Sequence, residues 1–79
     1  MMEANMQHNK WKFNRDKLRE AREIMSLSQE ELATKMNISR QAYNAWEKGT
    51  ATPKVHSLIK VCNVLGVKPQ IFFVESAEA

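Results

Sequence analysis

The chain has 79 residues and a formal net charge of +3, which allows one small domain around a single core. At 43% hydrophobic residues it is too apolar to be wholly disordered, while two Gly and two Pro leave little turn chemistry for a β fold. Cys62 is the lone cysteine, so no disulfide framework exists within the chain, and no stretch approaches the length of a membrane span. No signal-peptide pattern opens the chain; the expected compartment is the cytoplasm, with Cys62 a small, reduced core residue. The charge is unevenly spread. Residues 1–68 carry twelve basic and seven acidic side chains, or +5, and residues 69–79 carry only Glu75 and Glu78, or −2. A mildly basic body suits a polyanionic partner, although +3 is also an ordinary charge for solubility.

Good helix formers dominate the composition, so the expected class is all-α. Residues 1–13 are polar and aperiodic and read as a mobile tail, with Trp11 and Phe13 where it begins to dock. Lys10, Lys12 and Arg15 either meet phosphates or stay in water. Asn14 caps a first helix in which Leu18, Ala21 and Met25 recur at helical spacing, ending near Met25-Ser26 before Leu27 tucks into the core. Ser28-Gln29-Glu30-Glu31 is a capping box opening a second helix with Leu32, Ala33 and Met36 inside. Ser39 caps a third helix, about 39–48, with Ala42, Tyr43 and Trp46 on one side and Gly49 at its end. Pro53 suits the start of a fourth helix whose apolar face is Val55, Leu58, Ile59, Cys62 and Leu65, stopped by Gly66. Pro69 opens a short fifth helix bearing Ile71, Phe72 and Phe73, and residues 75–79 read as a frayed tail. The folded domain is expected over 14–74.

Only Met36-Asn37-Ile38-Ser39 separates the second and third helices. Two short helices joined by so tight a turn, the second free on its outer side, make a helix-turn-helix. The window meets the demands of that corner. Ala33 is small where the helices cross, Leu32, Met36 and Ile38 flank it as apolar anchors, and Asn37 tolerates the positive φ of the turn. Tyr43 and Trp46 anchor the third helix inward.

The stretch LSQEELATKMNISRQAYNAWEKG, followed by a proline and a helix ending in LGV, resembles the Cro/C1-type helix-turn-helix domains of phage repressors and small bacterial regulators. The likeness covers about residues 15–73. It implies a compact five-helix bundle of the lambda-repressor-like type, a transcriptional regulator and most readily a repressor, with the third helix in the major groove of double-stranded DNA. By matching positions, Ser39, Arg40, Gln41 and Asn44 face the bases, while Gln29, Lys48 and Thr50 hold phosphates. The residue chemistry agrees, since Arg pairs with guanine, Gln with adenine, and helix-start amides with phosphate. Tyr43 stands where the family usually has a β-branched aliphatic; its hydroxyl either reaches the phosphate backbone or the ring only fills the core. Arg22 and Glu47 match the family's structural ion pair. Two glycines of the family pattern are replaced, by Ser26 after the first helix and by Asn37 in the turn.

A single module of this size reads few base pairs, so a homodimer, formed at least on DNA and reading a palindromic operator, is expected, with Ile71 and Phe73 as interface candidates. Taken alone, Arg40 and Gln41 read as solvated helix residues; inside the motif they read as DNA contacts. His8 and His56 lack partners at ligand spacing, so no metal or cofactor is expected. No catalytic constellation is present, so the chain is not read as an enzyme. The rival is an antitoxin or protein-interaction module on the same fold, with DNA binding secondary.

Overall fold

The computed structural model describes residues 11–75. Its elements are strand β1 (Trp11–Phe13), helices α1 (Arg15–Ile24), α2 (Gln29–Met36), α3 (Arg40–Lys48) and α4 (Val55–Leu65), a 3-10 turn at Pro69–Phe72, and strand β2 (Phe73–Glu75). Four helices wrap one core whose largest fully buried side chains are Leu18, Leu32, Met36, Tyr43, Val61 and Phe72.

Side-chain caps start the first three helices. Asn14 accepts from the amides of Asp16 and Lys17 at 3.0 and 3.3 Å. Ser28 and Glu31 form the reciprocal capping box, at 2.9 and 2.8 Å, and Ser39 accepts from Ala42 at 3.0 Å. Left-handed residues end them. Ser26 (φ 58°) and Asn37 (φ 60°) do so without being glycine. Each completes a paired closure: Leu27 N–H donates to Arg22 and Ser26 N–H to Glu23, then Ile38 N–H to Ala33 and Asn37 N–H to Thr34. The short polar side chain of Asn37 keeps this conformation accessible, and both residues bear a steric cost that glycine would not incur.

The chain end differs from the expected fifth helix. Pro69 does open a helical turn, but it is 3-10 and lasts four residues. Phe73 then adopts extended backbone, φ −119° and ψ 139°, and its strand pairs antiparallel with β1 in the register Trp11↔Glu75, Lys12↔Val74, Phe13↔Phe73. Aromatic and β-branched residues at 71–74 favour extended backbone once a partner strand supplies the hydrogen bonds. The same pairing corrects both tail boundaries. Residues 11–13 of the expected N-terminal tail, and Glu75 of the C-terminal one, belong to the ribbon. The rest of both tails lies outside the described residues.

Some expected core positions face water. Met25 is half-exposed beyond the end of α1. Val55 is 73% exposed and Ile59 half-exposed, because α4 buries the stripe Leu58, Val61, Cys62 and Leu65 instead. Among the described residues, no helix is long and apolar enough to cross a membrane.

Candidate nucleic-acid interface

The buried residues of α3 are Tyr43, Trp46 and Glu47. At 100° per residue, the opposite side of the helix carries Gln41, Ala45 and Lys48, with Asn44 beside them, while Arg40 lies on the row of Glu47, seven residues on, and is exposed because it begins the helix. Arg40, Gln41 and Lys48 are exposed, and Asn44 and Ala45 are half-buried. Ala45 therefore shares the outward row, a position the sequence reading passed over because alanine offers no polar group. The signal was available, since Ala45 lies four residues after Gln41 and three before Lys48. Ser39 is exposed at the helix start, with its oxygen engaged as the cap.

Glu47 is the one acid on α3, and it is buried among donors from α1, α2 and α3 itself. Arg22 of α1 grips it with both ends of its guanidinium, Nε to Oε2 at 2.7 Å and Nη2 to Oε1 at 3.1 Å. Gln29 Nε2, at the start of α2, donates to Oε1 at 2.9 Å, and the Tyr43 hydroxyl donates to Oε2. Arg22 Nη1 also donates to the Leu27 carbonyl at 2.9 Å, tying in the loop before α2. Burial alone would raise the Glu47 carboxyl, but the hydrogen bonds from Arg22, Tyr43 and Gln29 outweigh it and hold it below its ordinary value. The bond to Glu47 raises Arg22 further. Burial, then the hydrogen bond to Glu47, pushes the Tyr43 hydroxyl well above the usual phenol range.

The expected phosphate contact from Tyr43 is therefore corrected. The ring is 0% exposed, stacked edge-on against Trp46 at 5.7 Å, with its hydroxyl turned to Glu47. Gln29 is half-buried at the α2 start with one amide hydrogen turned inward. Lys48 and Thr50 sit exposed at the other end of α3, where Thr50 Oγ1 donates to the Ala45 carbonyl at 3.4 Å. Arg15, weighed in the sequence as a tail cation, instead crosses to the end of α3 and donates to the Lys48 carbonyl. A cation there complements the negative helix terminus. Of the two interface candidates, Ile71 is exposed, but Phe73 is half-buried and packs edge-on against Phe13 at 6.0 Å.

A helix-turn-helix family model matches residues 18–72. An uncharacterised HTH-type transcriptional regulator of Methanocaldococcus jannaschii is 37% identical over 60 residues, covering 76% of this chain and 91% of that protein. The cryptic phage CTXphi transcriptional repressor RstR of Vibrio cholerae is 37% identical over 51 residues, 65% of this chain and 46% of the repressor. The uncharacterised HTH-type transcriptional regulator YqaE of Bacillus subtilis is 36% identical over 52 residues, 66% of this chain and 45% of that protein. The chain thus spans nearly all of the first relative's length and just under half of the other two. With a family match over most of its described residues and a relative 37% identical that is covered over 91% of its length, the chain belongs to the Cro/C1-type helix-turn-helix family.

Proposed function

We propose that the protein is a sequence-specific, double-stranded-DNA-binding transcriptional regulator, acting as a repressor, that lays α3 in the major groove. One observation carries this: the exposed start and outward side of α3 present Arg40, Gln41, Asn44 and Lys48, while its one acid, Glu47, is buried and paired. A face with cations, amides and no exposed carboxylate suits the base edges and phosphates of DNA. It also disfavours the rival of an antitoxin or protein-interaction module, which an excess of acids on this helix would have favoured. Ser39, Arg40, Gln41 and Asn44 read bases, and Ala45 is small enough to meet a thymine methyl. Gln29, Lys48 and Thr50, at helix ends, hold phosphates. A two-fold dimer on a palindromic operator would supply the specificity one module lacks, and exposed Ile71 is the interface candidate that remains. Binding is the whole of the proposed chemistry, with no catalytic step.

The test is binding to a duplex selected from a random pool and to a scrambled one, across several salt concentrations. Arg40→Ala should lose about 1–3 kcal/mol on the selected site and relax preference at one base pair. Lys48→Ala should weaken both duplexes alike and lower the salt slope by about one charge. Equal loss on both duplexes for Arg40→Ala would remove it from the reading face. No salt-dependent binding to any duplex would sink the proposal.

A further inference from the structure

The Glu47 carboxylate is saturated. Its two oxygens accept from Arg22 Nε, Arg22 Nη2, Gln29 Nε2 and the Tyr43 hydroxyl, two donors to each oxygen. A carboxylate can only accept, so its Oε1 decides which way round the Gln29 amide lies: nitrogen inward. One amide hydrogen is used on Glu47. The second, on the same nitrogen, belongs to a half-buried side chain at the α2 start, beside the first-turn backbone amides of that helix. A donor held there is what a phosphate oxygen requires.

Resting on the DNA-binding function proposed above, we infer that Tyr43 is a positioning residue for DNA. Through Glu47 it fixes the Gln29 amide with a hydrogen presented to a backbone phosphate. Tyr43 touches no DNA itself, being fully buried on the inward side of α3. Its hydroxyl occupies Glu47 Oε2 together with Arg22 Nε, which pins the carboxylate plane and keeps Oε1 turned to Gln29. Removing the hydroxyl leaves Oε2 held by Arg22 Nε alone. Gln29 then samples other rotamers, and binding has to order it again. The link joins the reading helix to the phosphate grip of α2, so α3 cannot shift without disturbing where Gln29 points.

The phenylalanine variant keeps the buried ring and removes only the donor. Tyr43→Phe, Gln29→Ala and the double variant would be measured on a selected and on a scrambled duplex, with folding checked by melting. Tyr43→Phe should weaken both duplexes about two- to tenfold, the ordering cost of one side chain, and should have almost no further effect once Gln29 is alanine. Equal weakening with and without Gln29 would overturn the inference, because a loss of core stability alone does not depend on that amide.

The chain holds a single tyrosine, so fluorotyrosine labelling places one fluorine reporter at position 43 and does not require Tyr43→Phe to fold. Its resonance should move when duplex is added to the parent protein, and should stay still on duplex-saturated Gln29→Ala. A shift that persists in Gln29→Ala, or none in the parent, would also overturn it. Failure of the parent to bind any duplex is read separately, in the salt titration, and strikes the proposed function rather than the link between Tyr43 and Gln29.

Discussion

In its first turn α3 is held by one side-chain hydrogen bond, Ser39 to the Ala42 amide, and turns Arg40 and Gln41 into water. In its last turns the same helix is tied by Arg22, Gln29 and Tyr43 to Glu47, and by Arg15 to the Lys48 carbonyl. The contrast separates two tasks within nine residues. Position is set from the C-terminal half, by a carboxylate that three elements share. The first turn, Arg40 to Ala42, is exposed and carries almost no structural duty beyond the cap, so its side chains can vary in type without moving the helix. A binding surface built this way can change what it reads while keeping where it sits.

The largest break in that contrast should come from Glu47→Ala. It strands a little-exposed Arg22 and leaves the Tyr43 hydroxyl without its acceptor, so about 3–5 kcal/mol should be lost in urea unfolding. Arg22→Ala combined with Glu47→Ala should lose less than the two single changes summed. Acid acts on the same group. A carboxyl held below its ordinary value contributes stability that is complete above that value and disappears as pH falls through the folded-state pKa. The urea midpoint should therefore drop below about pH 4, the ordinary Glu range. Glu47→Gln, already without the charge, should show a flatter profile.

Gly49→Ala should come next. Its φ of 86° is left-handed, and an added Cβ would run into the Arg15 side chain that crosses there. Forcing alanine into that conformation costs about 1–2 kcal/mol before the displaced Arg15 contact is counted. At the other end, Ser39→Ala removes only the cap, for about 1 kcal/mol. Arg40→Ala should change stability by less than about 0.5 kcal/mol while impairing DNA binding. A melting loss for Arg40→Ala as large as that for Glu47→Ala would erase the difference between the two ends.

The helical half of the fold could be read in advance because its signals are local. Ser28 with Glu31, Asn37, Ser39 and Gly49 each act within a few residues, and together they place α2, the turn and α3. The ribbon could not be read that way. Trp11–Phe13 and Phe73–Glu75 are three residues each and form a ladder only by pairing with each other across the length of the described chain, while Pro69 gives a helix-start signal that the chain abandons after one turn. Tyr43 was half legible. It lies four residues before Glu47, so a Glu47 turned inward toward Arg22 already implies an inward Tyr43. The Arg15 contact had no such clue, because its acceptor is a backbone carbonyl that any residue at position 48 would supply.

The pairing of β1 with β2 also sets an order of events in time. Its partners come from opposite ends of the described chain, Trp11 beside Glu75, so the ribbon closes the longest loop among the described residues. The corner of α2 and α3 closes over a few residues. Closing a long loop is entropically slower than closing a short one, so the corner is placed to assemble early and the ribbon to zip last. Run backwards, the ribbon is the part that opens first. Its link to the core includes Phe13, whose ring meets those of Phe72 and Phe73 where the two ends of the described chain pair.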